Sequence, residues 1–424
     1  MSDETTASVR SLVQTPASKQ SPGLLILFSE GSTSRVAVPL VAPVLLGRSD
    51  DCDLAIDDPG LSRKHATIER IDGRVMIVDH DSHNGTSVNG ERRLGQTPLE
   101  FGDILRCGNT LLLLVADIAS YSDWPDSADV PPLLGGPQID DVRRRIAAVA
   151  SSGLPVIIGG ESGCGKELVA REVHMASERA GAFVPLNCAA IPEALFEAEI
   201  FGAVKGAFTG ATADRQGLMR AANGGTLFLD EIGELPPSLQ AKLLRAVEHQ
   251  EVRPLGGTDA ISVDFRLIVA TNRDLAVEVA GGRFRADLYH RLSGVTLTVP
   301  PLRERREDVA LLALRELEGD APLATASFVE YLLDYRWPGN VRELHQVVNE
   351  ALVNARAEGA EKLAVAHLRA LSDSPELSEG EQIRHALKRC HGNVARTAAE
   401  LRLSRGKLYA RMREHGIDPE PFRS

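Results

Sequence analysis

Residues 154–174, LPVIIGGESGCGKELVAREVH, leave the chain few choices: an apolar run, a glycine-rich turn and a helix-forming run follow one another without a gap. The order reads as strand, turn, helix. Within it Gly160, Gly165 and Lys166 are spaced as G-x-x-x-x-G-K. Glycines at such a turn let backbone N–H groups close around phosphates, and a lysine there adds charge at the β/γ end of a nucleotide. The expected phosphate loop is Gly160, Glu161, Ser162, Gly163, Cys164, Gly165, Lys166 and Glu167. Cys164 is read as a small tolerated side chain rather than a reactive thiol. The motif normally ends in Ser or Thr, so Glu167 weakens metal ligation from the loop itself; Mg²⁺ would rely on other carboxylates and water.

Those carboxylates follow in ANGGTLFLDEIGELPP, residues 222–237. An apolar strand ending in Asp230 and Glu231 puts two acids at the carboxyl edge of a sheet, where open α/β folds bind ligands. Asp230 is expected to hold Mg²⁺ through water, and Glu231 to orient or deprotonate an attacking water. From about 134 to 371 such strands alternate with helical patterns, which predicts a parallel α/β sheet and an ATP-hydrolysing domain. One stretch resists this scheme: GAVKGAFTGATADRQG, 202–217. Gly206 and Gly210 bracket Ala207, Phe208 and Thr209, and so many glycines suit neither helix nor strand. Phe208 reads as presented rather than packed.

The flanks differ in character. Residues 1–20 read as a disordered tail. From 21 to 118, short alternating runs (LLILF, VAVPL, RVMIVDH, LLLLVAD) separated by turn residues predict an all-β sandwich. A Pro/Ser/Asp-rich linker is expected over 119–133 and a second one over 372–379. Residues 380–424 predict an all-α module. The chain carries a net charge of −12, yet residues 384–413 hold nine Lys or Arg against the single acid Glu400. A basic module ending an acidic chain is a local DNA-binding signal. Its pattern of helix, tight turn at Arg402-Leu403 and helix capped by Ser404 reads as helix-turn-helix. Ser404, Arg405, Lys407, Leu408 and Arg411 are expected at the groove.

With 43% hydrophobic and 25% charged residues the composition is that of a soluble protein. No apolar run is long enough for a membrane span, and the polar start predicts a cytoplasmic location. Five scattered cysteines imply neither a disulfide framework nor a metal site.

The ordered segments GESGCGKE (160–167), NCAAIPEALFEAEIFG (187–202), GAFTGA (206–211), GGTLFLDEIGELPPSLQAKLLRAVE (224–248), FRADLYHRL (284–292), PPLRERREDV (300–309) and WPGNVREL (337–344) resemble the AAA+ domain of bacterial enhancer-binding proteins, the activators of sigma-54 RNA polymerase. The resemblance implies a domain over 134–371 with a lid from about 303, working as a ring, commonly a hexamer. It implies that Asn272 is a sensor beside the phosphates and that Asn187 holds Glu231 in an inactive pose. Arg285 and Arg291 match arginines given across a subunit boundary, and Arg342 matches a lid arginine sensing nucleotide. Gly206, Ala207, Phe208, Thr209, Gly210 and Ala211 match the loop that contacts sigma-54.

Gly47-Arg48, Ser62-Arg63-Lys64-His65 and Asn84-Gly85-Thr86 resemble the forkhead-associated (FHA) domain, a phosphothreonine-binding sandwich. Arg48, Ser62 and Arg63 suit a dianionic phosphate, Asn84 suits the peptide backbone, and His65 is read as an internal brace. The terminal module resembles the Fis-type helix-turn-helix. Together these imply an ATP-driven activator that binds upstream enhancer DNA, assembles with itself, and is regulated by a phosphothreonine-containing protein. Two rivals stay open on the residues alone: a remodelling ATPase with another substrate, and a non-enzymatic scaffold between a phosphoprotein and DNA.

Overall fold

The computed structural model describes residues 8–9, 21–121, 133–207, 212–317, 323–368, 380, 383, 386–387, 393–401, 403–415 and 417. The chain divides into two compact units, 1–368 and 369–424.

The first unit opens with two facing sheets. One runs Leu54–Ala55, Val44–Gly47, Ala66–Ile71, Arg74–Asp79, Gln96–Leu99, and the other Glu91–Arg93, Thr86–Val88, Ile104–Cys107, Thr110–Val115, Gly23–Ser29, Ser32–Thr33. Arg74–Asp79 alternates between core and surface, as a half-buried strand should. Gly23–Ser29 and Thr110–Val115 do not alternate, because every residue in them is buried. One face lines the sandwich core, and helices Glu307–Arg315 and Ala326–Asp334 lie close to this sheet on the other side. The unbroken runs LLILF and LLLLV are thus strands covered on both sides, not the alternating strands expected.

Two boundaries also need correction. Ser8–Val9, in the expected tail, pairs antiparallel with Leu54–Ala55 and extends that sheet edge. The expected linker 119–133 is ordered at its start, where Ile118–Tyr121 forms a 3₁₀ turn and the Tyr121 hydroxyl donates to Glu307 Oε1 at 3.2 Å.

The central sheet has five parallel strands: β1 (Val156–Gly159), β2 (Phe183–Asn187), β3 (Thr226–Asp230), β4 (Arg266–Thr271) and β5 (Val295–Thr298), in spatial order β2-β3-β4-β1-β5. Apolar clusters cover both faces, which is why β3 and β4 read as continuous apolar runs. Arg266 is an exception inside β4. It is 2% exposed and donates to the carbonyls of Ala150 and Val149 at 2.6 and 2.8 Å, closing the last turn of helix Pro137–Ala150. The lid adds α1 (Glu307–Arg315), α2 (Ala326–Asp334) and α3 (Asn340–Glu358).

The second unit contains α4 (Val394–Glu400) and α5 (Arg405–Glu414). Ile383, Leu387, Val394, Ala398, Leu408, Met412 and Ile417 form its core. The expected linker 372–379 lies outside the described residues.

Candidate functional site

Between the end of β1 and the helix Lys166–Ala176 the chain makes the phosphate loop. Gly163 has φ +77°, and a Cβ there would stand 2.3 Å from the Gly339 carbonyl oxygen, so only glycine fits. Lys166 is 7% exposed. Its Nζ donates to the carbonyls of Gly160 and Glu161 at 3.0 and 3.2 Å and stands 3.5 Å from Glu231 Oε1. Cys164 is buried, and burial pushes its thiol pKa up, which favours the inert reading. Glu167 is exposed and turns outward to Arg171 at 2.6 Å, one helical turn along.

At the carboxyl edge of the sheet, Asp230 Oδ1 accepts the Glu231 N–H at 3.0 Å. Glu231 sits in a left-handed conformation, φ +52°, a strained geometry for a non-glycine residue that re-aims its side chain after the strand ends. Its Oε2 accepts from the Asn272 backbone N–H at 3.4 Å, so residue 272 meets the glutamate through the main chain. Burial, then the charge of Glu231, pushes the Asp230 carboxyl pKa up. An acid crowded by a like charge, which Lys166 and the Glu231 N–H offset only in part, suits a divalent cation. Among the described residues no group of three or more acidic, His or Cys side chains is arranged to hold a metal ion.

The expected bond between Asn187 and Glu231 is absent in this conformation. Asn187 lies beside Asp230 in register, but its Oδ1 accepts from the Ala189 N–H at 2.9 Å, a local turn that competes for the amide. Arg285 and Arg291 are exposed on the helix Ala286–Leu292 and its N-cap. Arg285 is paired with Asp287 at 2.7 Å, and Arg291 reaches the Val247 carbonyl at 3.4 Å. Arg342 Nη1 donates to Ser162 Oγ at 3.2 Å, at the mouth of the loop.

The base of the GAFTGA loop is closed by a bridge between Ala203 and Arg215, with Val204 and Leu255 also hydrogen-bonded. Gly206, φ +83°, has open space around the position of a Cβ. Phe208, Thr209, Gly210 and Ala211 lie outside the described residues.

In the sandwich, the backbone N–H groups of Arg48 and Ser49 donate to the carbonyls of Ser62 and Arg63, both at 3.0 Å, which zips two loops together. His83 N–H donates to Ser62 Oγ at 3.0 Å, and Asn84 Nδ2 donates to the Gly60 carbonyl at 2.8 Å. Arg48, Ser62, Arg63 and Asn84 therefore gather at one end of the sandwich. His65 is fully buried, its Nδ1 accepting from Ser62 N at 3.2 Å and its Nε2 standing 3.3 Å from the Gly85 carbonyl. Burial lowers its pKa, so it stays neutral and braces the loops.

The DNA module requires one correction. Leu408 is fully buried: α5 packs Leu408 and Met412, one turn apart, against the unit's core. Ser404, Arg405, Lys407 and Arg411 are exposed, and Ser404 Oγ accepts from Lys407 N–H as the N-cap. Leu408→Ala should therefore cost about 2–5 kcal/mol and abolish DNA binding by melting the module. Arg405→Ala should weaken binding with unchanged helicity, and circular dichroism beside a gel-shift assay on the full chain separates the two.

Sequence reasoning missed Arg303, Arg305 and Asn340. Arg303 makes two bonds to the Glu161 carboxylate at 2.7 and 2.8 Å, and Asn340 Nδ2 reaches the same carboxylate at 3.1 Å. For the two arginines the signal was a dense charge cluster, RERRED, set between apolar residues, and for Asn340 it was a lone amide after the Pro-Gly turn of WPGNVREL.

Models of four known domains match the chain: the sigma-54 interaction domain over residues 134–298, the FHA domain over 44–108, the AAA+ ATPase lid domain over 303–382, and the bacterial regulatory protein, Fis family, over 374–415. The response regulator protein PilR of Pseudomonas aeruginosa is 45% identical over 322 residues, 69% of this chain and 72% of its own. The regulatory protein AtoC of Escherichia coli is 42% identical over 313 residues, 68% of each chain. The crystal structure of NtrX from Brucella abortus in complex with ATP aligns with a TM-score of 0.52 at 32% identity, covering 68% of this chain and 69% of that one. Among the described residues no helix is long and apolar enough to cross a membrane. The matched domains, in this order around an assembled phosphate loop and acidic pair, place the chain in the family of sigma-54-dependent transcription regulators, as an AAA+ ATPase with an FHA domain and a Fis-type DNA-binding module.

Proposed function

We propose that this activator works as a cytoplasmic ring, commonly a hexamer, whose hydrolytic site is completed between subunits and whose activity is gated by phosphothreonine. The observation that carries this reading is the distribution of charge around the acidic pair. Lys166 is close to Glu231, whereas Arg285 and Arg291 are exposed and their guanidinium groups meet Asp287 and the Val247 carbonyl. Arginines so displayed suit a neighbour's γ-phosphate, where a guanidinium offsets the spreading charge of phosphoryl transfer. Asp230 and water would hold Mg²⁺, which neutralises charge on the β- and γ-phosphates. Lys166 would turn from the loop carbonyls to the phosphates, freeing Glu231 to orient water. Asn187 would then take up Glu231 in the resting pose once its local turn opens, with Asn272 and Arg342 reporting the nucleotide state. The loop 206–211, hinged at Gly206, would carry Phe208 and Thr209 to sigma-54 at promoters whose upstream enhancer DNA is held by Arg405, Lys407 and Arg411.

The gate rests on where the sandwich sits. Arg106 Nη1 meets Glu330 Oε2 of α2 at 3.0 Å, and Arg306 donates to the Gly102 carbonyl at 3.0 Å. A domain seated on the lid is placed to hinder or help lid movement when a partner binds. Calorimetry on the full chain tests the reader: a phosphothreonine peptide should bind, and Arg48→Ala should weaken it at least about tenfold, the loss of a charge-assisted bond. Equal binding of the unphosphorylated peptide would refute the gate.

A further inference from the structure

The loop that receives phosphates is gripped from its other side by the lid. Asn340 Nδ2 donates to the Ser162 carbonyl at 3.0 Å, the Arg342 backbone N–H to the Gly163 carbonyl at 3.3 Å, and Arg305 Nη2 to the Cys164 carbonyl at 3.0 Å. Three successive carbonyls are thus drawn toward the lid. In a trans peptide the N–H of the next residue points the opposite way from the carbonyl. Holding the carbonyls of 162, 163 and 164 therefore turns the N–H groups of Gly163, Cys164 and Gly165 away from the lid. The Cys164 N–H makes only a long turn bond, 3.4 Å, to the Glu161 carbonyl. Backbone donors so turned are the ones a phosphate-binding nest requires.

The two side chains are built for this task at some cost. Asn340 is fully buried in a left-handed conformation, φ +53°, and its Oδ1 accepts the Leu302 N–H at 2.8 Å, so its amide orientation is fixed at both ends. Arg305 is 2% exposed and its Nε has no hydrogen-bond partner. A buried arginine that leaves a donor unsatisfied calls for an explanation beyond packing. Its position is set by Asp308, fully buried, at 3.4 Å, and Asp308 is itself fixed by the Gly136 N–H at 2.6 Å.

We propose that Arg305 and Asn340 are positioning residues for ATP hydrolysis: they shape the phosphate loop from its outer side, so that its N–H groups converge on the nucleotide's phosphates only while the lid is seated. They touch the loop, not the reacting atoms. Lid displacement then lowers phosphate affinity directly, which gives the ring a route to ADP release.

The test measures ADP and adenosine binding to the full chain by competition with a fluorescent ADP, alongside melting temperature. Arg305→Met and Asn340→Gly should each weaken ADP about tenfold, as expected for a lost hydrogen bond in a charged site, and leave adenosine within about twofold. Arg305→Lys, which keeps one donor and the charge, should recover part of the loss. Glycine adopts the left-handed backbone of residue 340 freely, so Asn340→Gly decides the matter if Arg305→Met fails to fold. Folded variants that bind ADP like the parent, or that lose ADP and adenosine equally, would overturn the proposal, the second outcome marking a role in lid packing alone.

Discussion

Lys166→Ala in the full chain is expected to lower kcat for ATP hydrolysis by at least about 100-fold, the effect of removing one preorganised charge from a transition state, while DNA binding stays intact. The ammonium is nearly buried, next to the loop carbonyls and 3.5 Å from Glu231. Alanine leaves the carboxylates of Asp230 and Glu231 without their counter-charge, so the Asp230 carboxyl should rise further and lose part of its capacity for a cation. The DNA module is a separate compact unit with its own core, and it has no reason to respond. Phosphate release measured beside a gel-shift assay reads both limbs. Appreciable residual turnover would mean that another cation supports the phosphates.

The second large effect should dissociate hydrolysis from its use. Thr209→Ala is expected to keep ATP turnover within about twofold and to reduce open-complex formation on a sigma-54 promoter at least about thirtyfold, as for a central contact residue. The loop's base is closed by the bridge Ala203–Arg215, and Lys166, Asp230 and Glu231 belong to other segments. Truncating its tip therefore leaves the hydrolytic centre alone. Permanganate footprinting of the promoter, run with an ATPase assay, checks it; normal promoter opening would remove residue 209 from the contact.

Much of this was legible in order along the chain. Gly160, Gly165, Lys166, Asp230 and Glu231 announce themselves because their chemistry depends on spacing within one strand-turn-helix or at one strand end, which sequence preserves. The FHA loops were legible likewise, since Arg48, Ser62, Arg63 and Asn84 sit on short turns between strong strands. Leu408 was misread because a helix presents several faces, and which one is buried depends on partners such as Ile383 and Val394, distant in sequence. Arg305 and Asn340 were missed for a related reason. Their partners lie at Cys164 and Ser162, well over a hundred residues upstream, and no local period encodes such a pairing. The doubly covered strand Gly23–Ser29 had left a trace, five apolar residues without alternation, that points to a neighbour on its outer face.

The two carbonyls that hold the Lys166 ammonium have a consequence for turnover. The carbonyls of Gly160 and Glu161 lie within bonding reach of Lys166, so an ammonium leaving a nucleotide's phosphates would find ligands beside it. Product departure would then exchange one set of partners for another, and the loop would need no refolding before it is loaded again.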